Sequence, residues 1–220
     1  MEIVLPRRYR GPLTSANGGY ACGRLAAFVD AVEVEVTLRV PPPLDRPLAV
    51  ERDDGRVLLL DGDALVAEAR PAPVEVDAPA PVAIADAEAA RERHVRDWSV
   101  DFAECYVCGI REDGLEIRVG SVAGREPLHA APVTLIETGP EFVWAAVDCP
   151  GAYAVGAEGR GDIVLGRMTA RVDRVPEAGE QCVVASWPLG EDGRKLYAGT
   201  ALYAGDQLLA FARQTWIAPR

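Results

Sequence analysis

The 220-residue chain has one lysine, Lys195, two histidines, His94 and His129, and five cysteines. Five is an odd number and too sparse for a disulfide framework, so the thiols read as reduced, as in a cytoplasm. No apolar run approaches the roughly 18–20 residues needed to cross a bilayer. Arg7, Arg8 and Arg10 stand near the start, but no apolar segment of a secretory signal follows them. We therefore expect a cytoplasmic protein with no membrane partner. Positive charge is also short: the net charge is −11. Such a surface repels a polyphosphate backbone, so nucleic acid is not expected as a partner. There is no Gly-x-Ser-x-Gly elbow, so the nucleophile turn of an α/β-hydrolase is not supported. What is present, 49% hydrophobic and 26% charged residues with 21 Gly and 17 Pro, is an ordinary globular balance with many turns. The length suits one large domain or two of about 110 residues.

After a short apolar stretch, Ile3-Val4-Leu5, a turn containing Asn17, Gly18 and Gly19 leads into a helix expected over 20–29. Ala21, Leu25 and Phe28 recur at helical spacing and form one buried stripe, and Asn17 is placed to cap it. Residues 32–40 alternate apolar and polar with period two, as a half-buried strand does, and end at Pro41-Pro42-Pro43. Further strands are expected at 48–52, 56–60 and 64–69, joined by Asp- and Gly-containing turns. Residues 71–83 are rich in Pro, Ala and Val without periodicity and read as a linker. A short polar helix is expected at 86–94. The second half carries strands at 115–122 and 129–136, then a helix over 141–149. Pro140 sits in its first turn, and Pro150-Gly151 at its end. Strands at 163–175, 181–188, 195–203 and 207–217 close the chain.

The chain repeats itself. Residues 62–70, Gly-Asp-Ala-Leu-Val-Ala-Glu-Ala-Arg, line up with 205–213, Gly-Asp-Gln-Leu-Leu-Ala-Phe-Ala-Arg, with six of nine positions identical. Val36-Thr37-Leu38-Arg39-Val40 also matches Met168-Thr169-Ala170-Arg171-Val172. Each half thus reads as a helix followed by antiparallel strands, and two such halves suggest a fused pair. We expect a first repeat over 1–72, a linker over 73–98 and a second repeat over 99–220.

A helix followed by a strand meander, present twice in this length, resembles the double hotdog fold, an α+β architecture in which antiparallel sheets wrap central helices. Asn17-Gly18-Gly19-Tyr20 resembles the His/Asn-Gly-Gly turn of hotdog acyl-CoA thioesterases. Trp144-Ala145-Ala146-Val147-Asp148 is similar to the Leu-Ala-Asp/Glu segment of the same helix, and residues 208–217 resemble the final strand. The resemblance implies an acyl-thioester hydrolase acting on acyl-CoA or acyl carrier protein, with no cofactor and no metal. It implies a carboxylate as base or nucleophile and helix-start amides as oxyanion donors. In the family the acid lies roughly two and a half turns along the helix from the Asn. That position is Ala26 in the first half and Asp148 in the second, while the turn position of the second half is Pro140, which has no N–H. In hotdog thioesterases turn and acid come from opposite protomers. One site per chain is therefore expected, with Asp148, Gly18, Gly19 and Asn17 as its catalytic set.

Plainer roles fit the same residues. Gly18-Gly19 suits a tight turn, and Asp148 a polar helix end or an arginine partner. Asp30 reads as a cap, and Glu141 as a first-turn acid favoured by the helix dipole. Tyr20 and Trp144 are candidates for the acyl-binding wall, and Arg7 and Arg8 for the phosphates of coenzyme A. Cys105-Tyr106-Val107-Cys108-Gly109 is a lone CxxC pair. A structural zinc site needs about four ligands, and His94, His129, Cys149 and Cys182 are scattered in sequence, so no metal is expected and the pair reads as a buried turn. A homodimer is expected through sheet edges or faces, since open edges must be covered. Two further functions stay open. One is an acyl-binding protein without catalysis. The other is a hydratase or dehydratase, disfavoured because neither histidine falls on a helix of the repeat.

Overall fold

The computed structural model describes residues 1–95, 100–156 and 162–219. Residues 96–98 of the expected linker and residue 99 of the expected second repeat lie outside the described residues. The first half contains strand β1 (Glu2–Val4), helix α1 (Gly18–Ala26) and strands β2 (Glu33–Leu38), β3 (Pro47–Asp53), β4 (Arg56–Asp61) and β5 (Ala64–Pro71). Helix α2 (Ile84–Arg91) follows. The second half contains β6 (Gly120–Ser121), β7 (His129–Thr134), helices α3 (Pro140–Ala146) and α4 (Cys149–Ala154), β8 (Val164–Val172), β9 (Gln181–Asp192), β10 (Lys195–Ala204) and β11 (Gln207–Ile217).

All strands join one antiparallel sheet in the order β1-β3-β4-β5-β2-β8-β11-β10-β9-β7-β6. Read outward from the β2–β8 junction, both halves run through the same order, with β5 matching β11, β4 matching β10 and β3 matching β9. The two repeated sequence segments fall on matching strands, 62–70 with 205–213 on β5 and β11, and 36–40 with 168–172 on β2 and β8. Val36 lies opposite Met168 and Val34 opposite Ala170, so buried side chains meet across the seam. The sheet is therefore continuous, the α+β double hotdog arrangement, with α1, α3 and α4 on the inner face. The outermost strands, β1 and β6, are three and two residues long. That leaves little ladder for a second copy to extend.

The helices pack closely because α1 presents two glycines a turn apart. A Cβ on Gly19 would stand 2.5 Å from Asp148 Cβ and from the Trp144 carbonyl oxygen, and one on Gly23 would stand 2.6 Å from Glu141 Cα. Without those atoms the two backbones approach to van der Waals contact, and the start of α1 reaches the end of α3.

Besides end shifts of α2 (84–91 against 86–94), β8 (164–172 against 163–175) and β9 (181–192 against 181–188), three differences have a clear local cause. Helix α1 stops at Ala26 instead of 29, because Phe28 and Val29 donate to carbonyls three residues back and tighten the last turn. The expected single helix over 141–149 is two helices. Pro150 has no N–H for the Ala146 carbonyl, so α3 cannot run through it, yet Pro is tolerated in the first turn of α4. The break falls at Val147–Asp148. The expected strand at 115–122 is reduced to Gly120–Ser121, because Leu115 and Ile117 donate instead to the carbonyls of Tyr106 and Val107.

The stretch after β5 is not a free tether along its described length. Val82, Ala87 and Ala90 are buried with Val122, Leu128, Ala130, Ala185, Ala201 and Tyr203, so α2 covers the outer face of β7, β9 and β10. The outer face of the first-half sheet is instead solvated by ion pairs, among them Glu68 with Arg39 and Arg56, and Glu35 with Arg70.

Candidate active site

At the start of α1 the helix amides are shared out among different partners. The Asn17 side chain accepts from the Tyr20 amide at 2.9 Å, a standard N-cap, and the Asn17 carbonyl accepts from Ala21. The Gly19 amide donates at 2.9 Å to Asp148 Oδ2, which crosses from the α3–α4 break. Of the amides that lack an intrahelical acceptor at a helix start, Gly18 remains, and it lines a cavity.

Asp148 is 2% exposed. Its side chain does not cap α4. Oδ2 accepts from Gly19 and, at 2.9 Å, from Asn17 Nδ2. Oδ1 is buried without a hydrogen-bond partner. Burial lifts the carboxyl from its ordinary value to about 7, with the Cys105 thiol adding to the rise, while the Gly19 and Asn17 donors pull the other way. A carboxyl poised there exchanges its proton near neutral pH.

The cavity holds about 320 Å³. Asn17, Gly18, Asp148 and the thiols of Cys105, Cys108 and Cys149 line it together; most of the remaining wall is apolar, with Leu38, Ile163, Leu165, Trp216 and Ile217, though Ser15, Tyr153 and Asp162 also reach it. Arg39 stands on the wall, but Glu68 engages it. Polar groups on a mostly apolar wall suit a ligand with one reactive polar group and a hydrocarbon arm.

The structure thus brings together Asn17, Gly18, Gly19 and Asp148, the first three from one half and the last from the other. It uses them differently from the sequence expectation. The Gly19 amide is committed to the carboxylate, the Gly18 amide faces the cavity lining without an intrahelical acceptor, and Asn17 donates to Asp148. The four substrate-wall candidates lie elsewhere. Tyr20 is buried against Tyr9, with Arg24 on its hydroxyl. Trp144 fills the notch at Gly23 between the helices. Arg7 pairs with Asp45, and Arg8 with Asp113 and Glu137. None of the four lines the cavity. Pro140 and Ala26, the expected counterparts, stand at the first residue of α3 and the last of α1.

Gln214 escaped the sequence reading. It is fully buried on β11, donates to the carbonyls of Val147 (2.6 Å) and Asp148 (3.2 Å), and accepts from the Trp216 indole at 2.8 Å. It therefore fastens the helix break that aims Asp148. Its signal was a polar residue on the inward phase of a strand whose neighbours there are Ala212 and Trp216. Gln214→Ala would take the side-chain partner from the Val147 carbonyl and the Trp216 indole N–H in the core, while the Asp148 carbonyl keeps the Gly151 amide at 3.0 Å. The expected loss is about 2–4 kcal/mol in a urea titration, with kcat falling along with it.

No family model and no curated protein sequence matches the chain. Solved structures match its fold along its whole length. A Thermobifida fusca protein described as a putative thioesterase II superposes with a TM-score of 0.66 at 16% identity, covering 100% of this chain and 92% of that one. An Alicyclobacillus acidocaldarius protein of unknown function with the hot dog fold gives 0.59 at 11% identity, covering 100% and 92%. A dehydratase domain of a mycocerosic acid synthase-like polyketide synthase gives 0.59 at 16% identity, covering 99% and 90%. The chain is therefore a hotdog protein in fold. Neighbours that include both a thioesterase and a dehydratase leave the reaction to be argued from the site.

Proposed function

We propose that this protein hydrolyses a pantetheine-linked acyl thioester, with Asp148 as general base. The observation that carries the reading is the state of its two oxygens. Oδ2 is held by the Gly19 amide and Asn17, Oδ1 is buried and unpartnered, and the residue lines a mostly apolar cavity. A water on Oδ1 gives up its proton there and attacks the thioester carbonyl carbon. The carbonyl oxygen, gaining charge, takes a hydrogen bond from the Gly18 amide at the positive end of α1. The intermediate then collapses, the C–S bond breaks, and the departing thiolate takes the proton back from Asp148. Acid and thiol leave, and the carboxylate is restored. The apolar walls hold the acyl chain or the pantetheine arm.

We take the site to descend from a fused pair that kept the amide turn in the first half and the acid in the second. The carrier is coenzyme A or acyl carrier protein. The arginines nearest the α1 turn are already paired with carboxylates, which favours recognition through the pantetheine arm they share over recognition of phosphate. Assembly as a homodimer, in a cytoplasmic setting, belongs to the same proposal.

A second reading is an acyl-binding protein without turnover. It is favoured by the single amide left for the oxyanion where two were expected. A hydratase or dehydratase has less support, because neither His94 nor His129 lines the cavity. A panel of acyl-CoA thioesters with free-thiol detection separates the readings. Thiol release supports hydrolysis, saturable binding without release supports the second, and conversion of a 3-hydroxyacyl thioester to its enoyl product supports the third. Gly18→Ala is a finer probe. It keeps the amide, and its Cβ would stand 3.0 Å from Leu165 Cδ2 and 3.1 Å from Leu165 Cβ, contacts relieved by a shift of a few tenths of an ångström and offset by the helix propensity of alanine. We expect a change in stability under about 1 kcal/mol and a raised KM as the cavity narrows, read from unfolding and steady-state curves.

A further inference from the structure

We propose that Cys105, Cys108 and Cys149 form a binding site for a thiophilic divalent cation of the zinc class, with its fourth coordination position open to the cavity. The sequence showed one CxxC pair and no partner for it. The structure supplies a third sulfur, from the first residue of α4. The three sulfurs lie within 4.8 Å of one another, all buried. Cys105 Sγ and Cys149 Sγ are 3.7 Å apart. With zinc–sulfur bonds of about 2.3 Å, the edge of a tetrahedral site is about 3.8 Å. The same separation is far beyond the roughly 2.05 Å of a disulfide, and all five cysteines are free thiols.

The backbone around the pair is tightly turned. Residues 105–109 fold as a knuckle, with the Gly109 amide donating to the Cys105 carbonyl at 2.9 Å. A Cβ on Gly109 would stand 2.6 Å from both Cys105 N and O, so the turn closes only around glycine. Asn17 Nδ2 adds a donor, 3.7 Å from Cys149 Sγ and 4.0 Å from Cys105 Sγ. N–H groups aimed at sulfur are what a metal-bound thiolate requires of its surroundings, since they spread its charge and fix its orientation. Leu115 and Ile117 clamp the knuckle from behind through the carbonyls of Tyr106 and Val107.

Three protein ligands with the remaining side facing space is the pattern of a site that accepts an exogenous ligand rather than a closed structural one. Here all three cysteines line the cavity beside Asp148. The Asp148 carboxylate is not counted as a ligand: Gly19 and Asn17 hold its Oδ2, and it falls outside the 4.8 Å cluster of the three sulfurs. The metal would also tie 105–108 to the start of α4, closing the polar part of the cavity.

The site stands independently of the hydrolysis reading and is tested without an activity assay. The full chain is produced with zinc in the medium, purified without metal-affinity resin or chelator, and its metal content measured by mass spectrometry. The expected result is about one zinc per chain. Metal-free protein, kept reduced, is then titrated with Co²⁺. Thiolate-to-cobalt charge-transfer bands and the intense visible bands of a four-coordinate site are expected, displaced by zinc. Cys108→Ser and Cys149→Ser each weaken the metal at least about tenfold, whereas Cys22→Ser and Cys182→Ser leave it unchanged. Should Cys149→Ser fail to fold, the wild-type content and the Cys108→Ser titration decide. Wild-type protein with no stoichiometric metal and no cobalt bands overturns the proposal. So does metal retained by the Cys105, Cys108, Cys149 triple serine variant, or a Cys105–Cys149 disulfide in protein purified without reductant.

Discussion

Asp148→Asn is expected to lower kcat for acyl-CoA hydrolysis by about 10²–10⁴-fold, the span that general-base catalysis contributes, while the protein remains as stable as before or becomes more so. The two halves of this expectation have one cause. Burial raises the cost of ionising the Asp148 carboxyl, so a neutral amide of the same shape relieves a desolvation penalty instead of creating one. The amide oxygen still accepts from the Gly19 N–H, so the α1–α3 contact persists. What is lost is the capacity to take a proton from water at Oδ1. Thiol release and a thermal melt measured on one preparation test both halves. Unchanged hydrolysis removes Asp148 as base, whereas lost hydrolysis with a collapsed melt would make its role structural.

Gly19→Ala is expected to strike the fold and the site together. The added Cβ would lie 2.5 Å from Asp148 Cβ and from the Trp144 carbonyl oxygen. Neither obstacle is the end of a flexible side chain. One is backbone, and the other belongs to a residue whose own carbonyl is tied to Gln214. The helices must therefore separate. Alanine gains up to about 1 kcal/mol of helix propensity over glycine, while overpacking of this kind costs about 1–3 kcal/mol or more. We place this site at the upper end, for a net loss of about 2 kcal/mol and a fall in Tm of roughly 4–8 °C in a chain of this size. The Gly19–Asp148 hydrogen bond lengthens with the same movement, so hydrolysis falls further than the stability alone would require. Gly18→Ala, one residue earlier, is the control that should melt near the parent temperature. Equal melts for the two variants would mean that the close helix contact is not what holds the site.

Much of the fold was legible because its signals are local. Period-two alternation over 32–40 and the apolar spacing of Ala21 and Leu25 announced β2 and α1. The match between 62–70 and 205–213 announced the equivalence of β5 and β11. Asn17 announced its cap, since capping needs only a side chain and an amide three residues on. The parts that stayed hidden depend on chain segments far apart. Pro150 was read as a terminator, but it equally fits the opening of α4, and the resulting break is what turns Asp148 towards α1. The helix expected at 86–94, found at 84–91, looked like a polar linker helix because its buried side chains, Ala87 and Ala90, are small, and only the sheet beneath them shows which face is covered. Tyr20 and Trp144 were read as cavity wall for their aromatic rings, yet a ring on a helix that meets another helix packs between the two. Arg7 and Arg8 were read as phosphate ligands without sight of Asp45, Asp113 and Glu137. Cys149 joins Cys105 from 44 positions away, a juxtaposition no spacing rule contains.

The central claim is that the Gly18 amide from one half and the Asp148 carboxylate from the other act on a single carbonyl. Its most direct test is a crystal structure with an acyl-CoA analogue in which a methylene replaces the thioester sulfur, so that the ligand binds and cannot be cleaved. The account predicts the ketone oxygen within hydrogen-bonding distance of the Gly18 amide, and the ketone carbon facing Asp148 Oδ1 across one water, with the pantetheine arm leaving between Leu38 and Leu165. An analogue whose ketone lies outside this cavity, or that occupies it with the carbonyl turned away from Gly18, contradicts it.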